Sequence, residues 1–131
     1  MELQAHELRI GNLFQEQNSK EIIMVTELSQ FKIGFSGSFK GNWQAEPIPL
    51  TEEWLLKFGF LDTTGVDYIY HVDLDFKLII IPASDFYPQI DKADDSGWKS
   101  VSLNKIKYVH QLQNLYFALT GEELKLNDPL Q

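Results

Sequence analysis

The sequence predicts an α+β fold: an N-terminal small β-meander or SH3-like barrel, a central short helix, a second antiparallel sheet and a C-terminal sheet-packing helix. Three observations carry this expectation. Apolar and polar residues alternate through much of residues 13–46, which is the period of a strand. Towards the C-terminus Ile106, Val109, Leu112, Leu115, Tyr116 and Leu119 recur at three- and four-residue steps, the period of a helix. Between these regions, all eight acids of residues 61–99 are Asp, whereas all eight acids of residues 1–60 are Glu. Asp bonds readily to nearby backbone in turns, so the middle third reads as short strands punctuated by Asp turns.

The elements follow in order. Residues 9–12 form a turn that feeds a short strand over 13–16, and Gln17, Asn18 and Ser19 close it back onto the next strand. In residues 21–28, Ile22, Met24 and Leu28 alternate with Ile23 and Val25, so both faces are largely apolar and the strand is expected to be central. Ser29 and Gln30 turn the chain into a half-buried strand of Phe31, Ile33 and Phe35. Residues 37–42 read as loop, and 43–46 as a fourth short strand. Four short strands joined by polar turns are what suggest the meander or small barrel.

Pro47 and Pro49 end that unit. Thr51 suits a helix N-cap, Glu52 and Glu53 favour its positive dipole end, and Leu50 and Leu55 sit at the positions of a hydrophobic staple. Gly59 stops this helix. Residues 68–72 and 77–81 read as a hairpin turning at 73–75, and the run at 78–81 is apolar on both faces, as for a strand buried on both. Residues 91–97 read as a polar loop before a third strand over 98–103. Asn104 is the expected cap of the last helix, and Thr120 with Gly121 its stop. The second face of that helix carries Lys105, His110, Gln111, Gln113 and Asn114, which places His110 on the surface or along a groove. The tail from residue 122 reads as short strand or coil that frays. The expected organisation is thus one domain over 1–131, with a β-barrel-like lobe (1–46), an α+β lobe (47–126) and a tail (127–131).

Composition narrows function by exclusion. The 131 residues carry 11 basic and 19 acidic side chains, a formal net charge of −8, and no Cys. Disulfides, thiolate catalysis and cysteine-based zinc sites are therefore absent. The charge argues against a protein that coats duplex DNA by electrostatics. No basic cluster precedes an apolar run near the N-terminus, residue 2 is Glu, and the longest apolar run spans only residues 78–83. The expectation is a cytoplasmic protein with no membrane partner.

Candidate chemistry is sparse. His71 with Asp73 and Asp75 offers nitrogen and oxygen donors, but the run reads better as a strand end followed by an Asp turn. Asp91, Asp94 and Asp95 with Gly97 resemble a calcium loop, yet the required Glu position falls on Ser102. There is no Gly-x-Ser-x-Gly elbow, Gly-x-Gly-x-x-Gly run, Walker loop or His-Glu-x-x-His. No catalytic residue, metal ligand or cofactor is assigned.

One segment stands out. Phe31, Phe35, Phe39 and Trp43 lie with Lys32 and Lys40 in a stretch with no acid between Glu27 and Glu46. Aromatic rings beside cations suit stacking on bases, so Phe35, Phe39, Lys40 and Trp43 are the candidate ligand-binding residues for single-stranded nucleic acid or a nucleotide. The competing reading puts these rings in the core of a small sheet. A third reading takes the eight Asp between Asp62 and Asp95 as a negative face that inhibits a basic host protein.

Residues 8–13 (LRIGNL), 47–60 (PIPLTEEWLLKFGF) and 106–121 (IKYVHQLQNLYFALTG) together resemble an uncharacterised family of small proteins from Bacteroides-type gut bacteria and their prophages. The resemblance implies a phage or mobile-element accessory factor and brings no activity, cofactor or site residue with it. The expected function is therefore a non-enzymatic binding or interaction protein whose partner is a protein. An uncovered sheet edge in the second lobe favours a homodimer.

Overall fold

The computed structural model describes residues 8–29, 32–37, 44–62, 66–82 and 85–127. Among these residues it is a mixed α+β fold of two antiparallel sheets and two helices. The first sheet comprises β1 (Leu13–Glu16), β2 (Ile22–Leu28), β3 (Ile33–Phe35) and β4 (Ala45–Pro47), in the spatial order β3-β2-β1-β4. β2 is an interior strand, as its apolar content leads one to expect, although only Ile23 and Val25 are fully buried while Met24 faces solvent. Among the described residues β3 and β4 are the sheet's two edges, and no pairing between them closes it into a barrel. Its core is Leu8, Phe14, Ile23 and Val25, with Ile33, Phe35 and Ala45 packed against them.

Helix α1 (Glu52–Lys57) starts where Thr51 Oγ1 accepts a hydrogen bond from the Trp54 amide at 3.3 Å. Leu50 and Leu55 are both buried, consistent with the staple. Gly59 adopts φ +94, which only glycine takes without strain, and its N–H closes the helix on the Leu56 carbonyl.

The second sheet runs in sequence order: β5 (Leu61–Asp62), β6 (Tyr68–Asp73), β7 (Phe76–Ile81), β8 (Tyr87–Asp94) and β9 (Gly97–Ser102). Two strands lie where the sequence reading places none. β5 is too short to show a pattern, and β8 occupies most of the expected polar loop. Asp91, Lys92, Ala93 and Asp94 continue the ladder on β7 and β9, and only Asp95 and Ser96 form the turn. The polar residues of β8 belong to a strand end that projects past the core, where water solvates them.

Helix α2 (Val109–Thr120) begins later than the expected Asn104 cap. Residues 106–108 are held extended because Leu50 N donates to the Lys107 carbonyl and Val109 N donates to the Ile48 carbonyl, both at 2.9 Å. The Gln111 side-chain oxygen Oε1 then accepts from the Lys107 and Tyr108 amides. The tail is docked rather than frayed as far as it is described: Leu124 is buried, and Asn127 N donates to the Lys57 carbonyl at 2.7 Å.

The main core gathers Leu13, Ile48, Trp54, Leu55, Phe58 and Phe60 with Tyr68, Leu78 and Ile80 of the second sheet and Val109, Leu112 and Tyr116 of α2. The polar face of α2 does not face water. His110 is buried and stacks on Phe14 at 4.8 Å and near Tyr108 at 5.9 Å, which corrects its expected surface position, while the cleft it lines with Ile106, Gln111 and Asn114 fits the groove alternative. Gln113 is buried too, and Asn114 accepts from Asn12 Nδ2 at 2.8 Å. A buried polar helix face needs its hydrogen bonds met, and here Leu13 with the turn at Arg9, Gly11 and Asn12 meets those of Gln113 and Asn114.

Candidate interaction surface

Strand alternation and register decide which side chains meet on each face of the second sheet. Tyr68, Tyr70, Leu78, Ile80 and Ile90 pair across strands and face the core. The opposite face carries Leu61, Ile69, Ile79 and Gln89 in one cross-strand row, with Ile81 and Tyr87 as the neighbouring pair. A second row holds His71, Lys77, Asp91 and Ser100, followed by Ala93 and Trp98. The buried apolar residues of both helices join the core side, so neither helix covers this outer face.

The outer face is apolar at one end and mixed at the other. Leu61 is 57% exposed, Tyr87 43% and Trp98 51%, while Ile79 in the middle is buried between its Ile69 and Gln89 neighbours. The Lys77 ammonium lies over the Trp98 ring at 4.5 Å, a cation–π contact that holds the indole flat. Asp91 accepts from Ser100 Oγ at 2.6 Å and Gln89 Nε2 at 2.9 Å, so its charge is tied into the sheet. At the β8–β9 turn the Ser96 hydroxyl, then the Ser96 amide and Lys99, hold the Asp94 carboxyl below its usual range against a smaller opposing effect of burial.

Of the candidate ligand-binding residues singled out from the sequence, Phe35 alone is among the described residues. Phe35 is half-buried in the first core, with its ring edge-on to Phe14 at 5.8 Å. Phe39, Lys40 and Trp43 fall outside the described residues, as does Phe31. The eight Asp do not share one face. Asp73, Asp75, Asp94 and Asp95 stand at one end of the second sheet, Asp62, Asp67 and Asp85 at the other, and Asp91 between them. Asp73 caps its own turn through the Leu74 amide at 2.7 Å, and among the described residues no three His, Asp or Glu side chains come together as a metal site. The apolar cleft of about 410 Å³ beside Ile10, Met24, Phe58 and Leu124 has Gln113 on its wall, but that amide is already bonded to backbone.

Sequence reasoning missed Leu61, Ile69, Tyr87 and Trp98. The signal was the run at 78–81, apolar on both faces. A strand of that kind says both faces of its sheet are apolar, without saying that both are covered. Among the described residues, no helix is long and apolar enough to cross a membrane. Comparison of the chain with protein-family models, with curated proteins and with solved structures gives no match.

Proposed function

We propose that the chain is a non-enzymatic protein-binding module that docks its partner on the open face of the second sheet. The observation that carries this reading is the apolar end of the outer face, where Leu61, Ile69 and Ile79 run across three strands beside the pair Ile81 and Tyr87, with no helix over them among the described residues. Exposed apolar surface rimmed by polar groups favours protein partners. The flanking Asp91, Asp94 and Asp95 disfavour a nucleic-acid backbone at the same place. The phage or mobile-element accessory role implied by the resemblance of residues 8–13, 47–60 and 106–121 agrees with a cytoplasmic protein of this type. The β1–β2–β3 meander with β4 returned beside β1 supports reading the first sheet as the SH3-like part, a scaffold for the second. The test is photocrosslinking in the producing cell from p-benzoylphenylalanine placed at Tyr87, compared with the same group at Leu74, which is exposed at the far β6–β7 turn. A discrete protein adduct is expected at Tyr87 and not at Leu74, and its loss in a Leu61→Glu background. Adducts that are the same from both positions would overturn the reading.

A further inference from the structure

All six residues of β9 are exposed, and among the described residues the strand is the last in its sheet. Leu103 N donates to the Pro88 carbonyl, and the register pairs Val101 with Ile90, Lys99 with Lys92 and Gly97 with Asp94. Backbone groups of an antiparallel strand point to alternate sides residue by residue. The odd-numbered residues of β9 therefore bond to β8, and Trp98, Ser100 and Ser102 turn N–H and C=O groups away from the sheet. The other described edges are blunted: β5 has two residues, β3 three, and β4 contains Pro47. β9 has neither a proline nor a bulge.

We propose that β9 pairs antiparallel with β9 of a second copy of this chain, about a two-fold axis through Ser100. This register sets Ser100 against Ser100, Trp98 against Ser102 and Lys99 against Val101, so all three outward-facing residues are used. Shifting the axis to Lys99 opposes two ammonium groups directly, which destabilises a sheet pair. Shifting it to Val101 runs Trp98 past the partner strand's end, opposite Asn104. Charge favours the antiparallel sense independently. The strand begins at the acidic turn of Asp94, paired with Lys99 at 3.2 Å, and Asp95, and ends at a segment holding Lys107 and Lys105, the latter 3.7 Å from Asp85 of its own chain. Antiparallel pairing brings the acidic end of each copy beside the basic end of the other, twice by symmetry, whereas parallel pairing sets like against like. Val101, 57% exposed in one chain, is covered by the Lys99 stem of the second copy. The axis stands perpendicular to the sheet, so the two open faces join into one ten-stranded surface.

The pairing is tested by sedimentation and light scattering of the full chain from micromolar to millimolar concentration, independently of any docked partner. The wild-type chain is expected to be a dimer. Ser100→Pro removes two intermolecular N–H donors and no backbone bond to β8, losing towards β8 only the hydroxyl bond to Asp91 that Ser100→Ala loses as well, and should raise the dissociation constant by roughly tenfold to a hundredfold. Ser100→Ala, which keeps the N–H, should stay dimeric. Asp95→Lys and Lys105→Asp should each weaken the dimer, and the double variant should regain it. A wild-type monomer throughout, or a natively folded Ser100→Pro as dimeric as wild type, would overturn the proposal. Should Ser100→Pro fail to fold, the charge exchange decides, and no recovery in the double variant counts against it.

Discussion

Gln113 shows how one side chain on α2 holds the two halves of the molecule together. Its Oε1 accepts from Leu13 N at 2.8 Å, and its Nε2 donates to the Gly11 carbonyl at 3.1 Å. Both partners belong to the entry of β1, so the amide stands in for a strand neighbour that the first sheet lacks there. Truncation leaves two backbone groups without partners, each at about 1–3 kcal/mol when buried. Gln113→Ala is expected to lower stability by about 2–4 kcal/mol in urea unfolding, with an unchanged dependence on denaturant. A loss below about 0.5 kcal/mol would show that water replaces the amide. Gln113→Glu separates donor from acceptor. Its carboxylate still accepts from Leu13 N but has no proton for Gly11, and only the neutral acid restores both bonds. The folded state then favours the protonated form and raises that pKa. Relative to wild type the variant should therefore be most stable below the ordinary carboxyl range, about pH 4.3, and lose that stability as pH rises through the raised value.

At the scale of an element, the β1–β2 turn depends on a buried carboxylate. Glu16 accepts from the Ser19 amide at 3.0 Å and the Asn18 amide at 3.1 Å, and from Gln44 N at 3.4 Å. The Ser19 amide is the main cause that holds its pKa below the ordinary 4.5, with burial opposing and Asn18 and Gln44 assisting. A depressed folded pKa gives stability that is present above the unfolded value and lost as pH falls through the folded one. The wild-type melting temperature should thus drop on acidification below about pH 4.5, and Glu16→Gln should flatten that limb while lowering stability at pH 7. A slope unchanged by the substitution would assign the acid limb to other carboxylates. This turn also shows what the sequence reveals. Residues 13–28, the Thr51 cap and the Gly59 stop were all legible, because each is set by neighbours a few residues away. The start of α2 was not, since the bridge between Pro49 and Tyr108 joins residues far apart in the chain. β8 was hidden because its polar end satisfies strand pairing without any apolar alternation. The open face was half legible: periodicity shows that Ile79 and Ile81 oppose Leu78 and Ile80, but which side receives the helices is decided by tertiary packing.

For the whole molecule, the position of α2 determines whether the two sheets form one cooperative unit. Val109, Leu112 and Tyr116 lie in the main core, while His110, one residue along, stacks on Phe14 of the first core at 4.8 Å. Leu13 and Phe14 are adjacent in β1 yet belong to different cores, because strand alternation sends them to opposite faces. Each core thus borrows a wall from an element that the other fixes. Neither lobe can open without exposing part of the other, even though the sequence divides them at Pro47. Phe14→Ala, at a fully buried site, should cost roughly 3–5 kcal/mol. In a cooperative molecule that loss is shared by every slowly exchanging amide. Hydrogen exchange should therefore show protection falling by the same free energy at Ile23 and Val25 in β2 and at Leu78 and Ile80 in β7, although β7 belongs to the other sheet. Protection lost in β2 alone, with β7 unchanged, would mean that α2 is retained by the second sheet when the first opens, and that the lobes fold as separate units.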